Sequence, residues 1–326
     1  MFTNLKNEVG IALFLVLWVL TLLSVIVGEF CHAMRTEVNI TRNFKEMTQS
    51  YYIAAAGLNQ AISQLIANPG KPFKATGEND EADEKIQWRV NAEIPAIAFA
   101  QGQFEVRIDN ESGKVNVNTA DRKLLTLMLN GFELDDTDKN IIVDSISDWR
   151  DKDNLHRLNG AENDYYRSLP DPYHCKNSDF DSVGELLLVR GISPEIFYGG
   201  LKDRVTVYQD ETAKEKPQSR ININAAPSSL LRALPGMTDD LVQNLMEYRK
   251  EADITSMTDL IEIFGTETYT AIRPYITLES CAYFTIKSMG SMKESTIKQG
   301  IQAFVKINTR EEKKYRILQW MDRISK

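Results

Sequence analysis

Residues 9–27 read Val-Gly-Ile-Ala-Leu-Phe-Leu-Val-Leu-Trp-Val-Leu-Thr-Leu-Leu-Ser-Val-Ile-Val, with no charge anywhere. A bilayer core takes roughly 20 predominantly apolar residues in helical form, so this stretch is long enough to span one. A polar leader carrying Lys6 and Glu8 precedes it. An ordinary secretory signal has a shorter apolar core followed by small residues at a cleavage site. Here the small residue, Gly10, stands before the apolar run and more helix follows it. That order predicts a leader over 1–10 that is trimmed and an anchor that is kept, with 11–30 in the membrane.

The helical pattern outlasts the membrane. Phe44, Met47, Tyr51, Ala54, Leu58, Ile62 and Leu65 fall in steps of three and four, which is one stripe of a 3.6-residue helix. Asn68-Pro69-Gly70-Lys71-Pro72 then stops it. A helix over 11–67 would be on the order of 85 Å long at 1.5 Å per residue. Its second half has the pattern of a helix packed on a globular head.

Beyond it the period drops to two, the mark of half-buried strands. Lys85–Ala92 and Gly102–Asp109 alternate, as do Ala282–Lys287 and Gln299–Ile307 near the other end, and Lys314–Trp320 predicts a fifth strand. Strands in 68–110 and 281–326, with a different pattern between, predict one antiparallel sheet interrupted by a large insertion. The fold class is α+β: a long N-terminal transmembrane helix packed on that sheet.

The insertion, 111–280, repeats itself. Lys114-Val115-Asn116-Val117-Asn118-Thr119-Ala120 echoes Arg220-Ile221-Asn222-Ile223-Asn224-Ala225-Ala226. Leu124-Leu125 answers Leu230-Leu231, Asp135-Asp136 answers Asp239-Asp240, and Asp148-Trp149-Arg150 answers Glu247-Tyr248-Arg249. Val205-Thr206-Val207 and Tyr275-Ile276-Thr277 close the two copies. This predicts a duplicated all-α module, the first copy over 111–208 and the second over 219–280.

The copies differ in one place. Arg150 to Ser182 is 32 positions but Arg249 to Ser256 is 7, so the first copy holds about 25 extra residues. They are acidic: Asp148, Asp151, Asp153, Glu162 and Asp164 crowd together, with Gly160 among them for backbone freedom. Hard oxygen donors on an irregular loop suit calcium, which takes six to eight oxygens in flexible geometry. Softer metals want His or Cys at short spacing, and only His156 is near. The run Asp151-Lys152-Asp153-Asn154 lacks the Gly and Glu of an EF-hand. The alternative is a solvated loop whose acids pair with Arg150, Lys152, Arg157 and Arg167.

In the second copy, Leu234-Pro235-Gly236-Met237-Thr238-Asp239-Asp240-Leu241 is very like a helix–hairpin–helix, a unit that can hold a DNA phosphate on backbone N–H groups. Asp239 and Asp240 would repel one, so the hairpin reads as a turn between packed helices. A net charge of −8 also argues against a nucleic-acid partner. Catalysis finds no support either. The three histidines form no spaced pair, and GxSxG, P-loop and dinucleotide turns are all missing.

The start of the chain, Gly10 followed by Ile11-Ala12-Leu13-Phe14-Leu15, resembles a type IV prepilin-like sequence. The resemblance implies cleavage by prepilin peptidase after Gly10 and N-methylation of Ile11. Most such proteins carry Glu at the fifth mature position, which here is Leu15. That departure characterises the minor pseudopilin K family of type II secretion systems. Asp148-Trp149-Arg150-Asp151-Lys152-Asp153, Gly160-Ala161-Glu162-Asn163-Asp164-Tyr165-Tyr166 and Leu186-Leu187-Leu188-Val189-Arg190-Gly191 are similar to that family too. The family binds calcium in this insertion, which implies Asp148, Asp151, Asp153, Glu162 and Asp164 as ligands of a structural ion. Leu155–Asn159 depart from the family's Pro/Gly-rich wording.

The resemblance further implies a single-pass protein of the bacterial inner membrane with a periplasmic head. It would sit at the pseudopilus tip with minor pseudopilins I and J, and would have the major pseudopilin and secreted cargo as further possible contacts. In that compartment a Cys175–Cys281 disulfide is open to formation. The other readings of the same sequence are a plain single-span anchor, a membrane-anchored DNA-uptake protein, and a type IV pilus minor pilin.

Overall fold

The computed structural model describes residues 8–67, 73–74, 87–92, 94–208, 220–293 and 295–322. Helix α1 runs unbroken over Glu8–Ala67, so the membrane segment and the pilin-type stripe form one rod, about 90 Å long. Its apolar first half touches nothing else among the described residues, and it is the one described helix long and apolar enough to cross a membrane. Gly10 and Ile11 lie in its opening turns; residues 1–7 of the expected leader fall outside the described residues.

The second half of α1 lies on a five-stranded antiparallel sheet. In chain order the short strands are β1 (Phe73–Lys74), β2 (Gln87–Trp88) and β3 (Ile97–Phe99), followed by the long β4 (Gly102–Asn110). The insertion adds β5 (Val115–Asn116), β6 (Val205–Thr206), β7 (Ile221–Asn222) and β8 (Ile276–Thr277). Then come β9 (Tyr283–Met292), β10 (Lys298–Ile307) and β11 (Tyr315–Asp322). The main sheet has the order β11-β10-β9-β4-β3. Alternation sends Phe104, Val106 and Ile108 of β4, Ile286 of β9 and Ala303 and Val305 of β10 against Ala54, Leu58, Ala61 and Ile62 of α1. At Gly290 the approach is so close that a Cβ would lie 2.1 Å from the Ser50 carbonyl oxygen.

Two sequence expectations need correction here. The alternating run Lys85–Ala92 does not enter the main sheet: its described part gives only β2, which pairs with β1, and the chain then turns at Val90–Asn91. Its place beside β4 is taken by Ile97–Phe99, while the strand expected at Lys314–Trp320 forms as β11. The insertion is also not wholly helical. Each half is closed by a two-residue parallel pair, β5 with β6 and β7 with β8.

The insertion leaves from the end of β4 and returns at the start of β9, and these strands are neighbours: Asn110 faces Phe284 across the ladder. It is therefore an overgrown hairpin connection that leaves the sheet register intact. Its neck is polar and extensively hydrogen-bonded. Buried Glu111 accepts from Lys114 Nζ at 2.7 Å and from the Thr285 hydroxyl. The Asn110 amide donates to the Cys281 carbonyl at 2.8 Å. Arg89, beside β2, donates to the Lys250 carbonyl at 2.6 Å and to Asp253 at 2.9 Å.

Inside the insertion the same bonds recur at matching positions. The Asn118 side chain donates to the Phe180 carbonyl and accepts its N–H; Asn224 does the same with Ile254. Arg150 donates to the Ala120 carbonyl, and Arg249 to that of Ala226. These arginines tie the end of a helix to the Asn-containing turn that opens each half. Both halves share one apolar core.

Candidate functional site

The acidic loop begins at the end of α3, which spans Asp136–Arg150 after α2 (Arg122–Met128). Asp121 and Asp135 cap these helices by accepting the N–H of Leu124 and Asp138, the role their residue type favours. α3 buries Ile142, Ile146 and Trp149. That orientation turns Asp144 and Asp148 inward as well, toward the chain that follows. The short α4 (Asn163–Arg167) closes the loop. Beneath it, Trp149 meets Tyr166 edge-on and stacks on Phe180.

The five carboxylates expected from the sequence separate into two groups. Asp151, Asp153 and Glu162 each present an oxygen, and these oxygens all lie within 4.8 Å of one another. Asp148 is turned away from them. It is fully buried and accepts from the Arg157 guanidinium at 2.5 Å and from the Arg157 backbone N–H at 3.1 Å. The same guanidinium nitrogen reaches Asp151 at 2.6 Å. Asp164 is exposed, accepts from the Tyr165 N–H, and lines an open cavity of about 520 Å³ together with Glu162, Asn154, His156, Asn163 and Arg167.

Glu162 is the telling residue. It is 1% exposed, and its carboxylate oxygens meet no N–H or hydroxyl donor, only the weakly donating Cys175 thiol. Asp151 Oδ1 and Asn177 Oδ1 are likewise buried and unpartnered. Burial, with the charges of Asp148, Asp151 and Asp153 added, pushes the Glu162 carboxyl up to about 7. An unsatisfied buried carboxylate costs several kcal/mol, and native proteins rarely leave such groups alone. An oxygen-rich cluster of this kind, with Glu162 short of donors, fits a hard dication such as calcium. Burial raises the pKa of the neighbouring Cys175 thiol to about 12.

Several contributors were not readable as such in the sequence. Asp144 accepts from the backbone and side-chain amides of Asn159 and from Arg122, so it pins the far side of the loop. Asn177, at φ 49°, donates to the Asp153 carbonyl at 2.7 Å. Arg150 serves the backbone carbonyls of Val117 and Ala120 rather than the acids. Gly160 is needed for space, not for backbone freedom. Its φ is not positive, but a Cβ there would lie 1.7 Å from Asp148 Oδ2. Cys175 and Cys281 have different neighbours, Asp148 for the first and Asn110 for the second, so the bridge that the sequence left open does not join them here.

The second copy contributes a capped turn. Gly236 takes φ 76°, Thr238 caps the helix Asp239–Glu251, and Asp239 pairs with Arg232 at 2.6 Å. Arg249, at the other end of that helix, is buried against the Ala226 carbonyl.

A rod with an apolar first half, lying on an antiparallel sheet and carrying a helical insertion with an acidic loop, defines a membrane-anchored, pilin-like subunit with an enlarged head. Residues 102–210 match the family described as type II secretion system (T2SS), protein K, and residues 216–277 match the helix-hairpin-helix motif. Over the first half of the insertion the chain is therefore similar to the type II secretion system protein K family, and it spans about three fifths of the length of the first curated relative it matches. It is 31% identical over 207 residues to type II secretion system protein K of Pectobacterium carotovorum subsp. carotovorum, an alignment covering 59% of this chain and 61% of that protein. To the putative type II secretion system protein K of Escherichia coli K12 it is 23% identical over 341 residues, covering 94% and 96%. Among solved structures, the crystal structure of the GspK-GspI-GspJ complex from enterotoxigenic Escherichia coli shares the fold. The TM-score is 0.58 at 18% identity, over 87% of this chain and 99% of that one.

Proposed function

We propose that this chain is a minor pseudopilin standing at the tip of a type II secretion pseudopilus. There it assembles with minor pseudopilins I and J to start or cap the filament and so supports protein export. The observation that carries the reading is a pilin-type rod with Leu15 near its apolar end, joined to a head swollen by an insertion between adjacent strands. In such filaments the acid at the fifth mature position pairs with a neighbour's N-terminal amine. Leu15 has no acid to offer, and the enlarged head obstructs a subunit stacked above it. Both properties suit an end piece.

The same reading has prepilin peptidase cut after Gly10, the Ile11 amine methylated, the rod held in the inner membrane and the head in the periplasm. The major pseudopilin and secreted cargo are further contacts it allows. Asp151, Asp153 and Glu162 would hold a calcium ion, with Asp164 across the cavity and Asp148 supporting the loop through Arg157. The ion would neutralise carboxylates that otherwise repel, fixing the loop. The helix-hairpin-helix likeness supports no phosphate grip. Asp239 and Asp240 occupy the helix start where the phosphate would sit, and Arg249 is buried.

Top-down mass measurement of the chain purified from inner membranes tests the assignment. The expected amino end is N-methylated Ile11. An unprocessed chain on material that still supports secretion would overturn it.

A further inference from the structure

Among the described residues, Arg157 is the one cation that forms ion pairs with the five acids of the loop. A single guanidinium nitrogen, Nη1, makes both pairs, at 2.5 Å from Asp148 Oδ1 and 2.6 Å from Asp151 Oδ2. The two acids differ in what else they face. Asp148 is wholly buried, and its other oxygen accepts the Arg157 backbone N–H at 3.1 Å. It is committed to Arg157. Asp151 is shared: its Oδ2 faces the guanidinium, whereas its Oδ1 is buried with no hydrogen-bond partner. Asp151 also contributes to the three carboxylate oxygens, with those of Asp153 and Glu162, that lie within 4.8 Å of one another. Glu162 is 1% exposed and meets no N–H or hydroxyl donor. One carboxylate thus carries a monocation on one side and borders the candidate dication position on the other.

The guanidinium has two opposite effects in that place. With no ion bound, it offsets the repulsion between Asp148 and Asp151. With an ion bound, its charge opposes the newcomer. A hydrogen bond on one carboxylate oxygen and a coordination bond of about 2.4 Å on the other put the two cations about 6 Å apart. A dication and a monocation at that distance repel enough to weaken binding roughly tenfold at the dielectric of water, and by more in less polar surroundings. The Arg157 side chain is 44% exposed, so the water-like end of that range applies.

We propose that Arg157 is the resident counter-cation of the loop: it holds Asp148 and Asp151 when no ion is bound, and its charge keeps the affinity for calcium below that of the carboxylates alone. It is a positioning residue that acts through Asp151. The proposal rests on the calcium reading given above and adds the residue that tunes it. A purely structural role predicts the opposite sign. If Arg157 only held Asp151 in place for the ion, removing it would weaken binding.

The test is a calorimetric titration of the full-length chain, purified in detergent and freed of metal, with calcium chloride at pH 8. Arg157→Gln removes the charge. Arg157→Lys keeps it, and because one nitrogen rather than the guanidinium fork makes both contacts, an ammonium is able to replace it. Arg157→Gln is expected to bind calcium about tenfold or more tightly than wild type, and Arg157→Lys to stay within about threefold of wild type. In chelator Arg157→Gln should melt below wild type, and saturating calcium should raise its midpoint by more. Should Arg157→Gln not fold in chelator, it is purified with calcium bound and the ion is drawn off with a competing chelator of known affinity. Weaker binding by Arg157→Gln, or the full gain appearing in Arg157→Lys as well, would overturn the proposal. If wild type and Arg157→Gln bind calcium equally, the role of Arg157 falls and the calcium reading stands. If only Arg157→Gln binds, the counter-cation stands and the calcium reading of the wild-type loop falls. If neither binds, both fall.

Discussion

Glu162→Gln in calcium-free protein isolates the electrostatic cost that the acidic loop carries. The Glu162 carboxyl is held at about 7, by burial first and by the nearby aspartates second, against an ordinary 4.5. At full effect that difference corresponds to about 3 kcal/mol. Glu162 also lines an open cavity, so solvent screening brings the figure to about 1–2 kcal/mol. The sign follows from the folded value lying above the unfolded one. The stability linked to this group is fully present below pH 4.5, declines between pH 4.5 and 7, and is gone above.

In chelator at pH 8, the Gln variant is therefore expected to exceed wild type by about 1–2 kcal/mol, a rise in midpoint of about 2–8 °C. At pH 5 the two should agree within about 0.5 kcal/mol. Saturating calcium at pH 8 should reverse the order, because the wild-type carboxylate gains a partner and the amide does not. Thermal denaturation of the head monitored by circular dichroism reads all three conditions. Equal midpoints at pH 8 in chelator, or equal responses of both proteins to calcium, would refute the reasoning.

Gly160→Ala puts a methyl into the Asp148 carboxylate and should destabilise the head by about 1–3 kcal/mol; it should also weaken the calcium-induced rise in midpoint, read by the same melts with and without the ion. Arg89→Ala removes a buried cation bonded to the Lys250 carbonyl and Asp253. The loss should be about 1–3 kcal/mol, and hydrogen exchange should quicken at the C-terminal end of the helix Asp239–Glu251. Asn118→Ala and Asn224→Ala each delete a two-bond clamp. Each should cost about 1–3 kcal/mol in urea unfolding, with similar effects for the two. Intact mass of the purified head should not change on reduction, since Cys175 lies against Asp148 and Cys281 against Asn110 rather than against each other.

The long elements were legible because their periods are long. Seven apolar positions in α1 and the alternation of β4, β9, β10 and β11 each repeat often enough to stand out, and the structure returns these elements within a few residues of the expected bounds. β3 escaped because three residues, Ile97–Phe99, show no period. The run before it alternates well but was drawn off by β1. In the loop, residue type revealed the acids but not their partners. Asp148 and Asp151 share Arg157 because of the path taken by Leu155–Asn159, which no local pattern fixes. The isolation of Glu162 is a property of burial, visible only once α4 packs over Trp149.

Labelling the head on isolated pseudopili tests the central claim most directly. An epitope tag in the insertion, decorated with gold and viewed by electron microscopy, should place label at one end of each filament and nowhere else. Label spaced along the filament length, or filaments of wild-type number bearing none, would contradict the account.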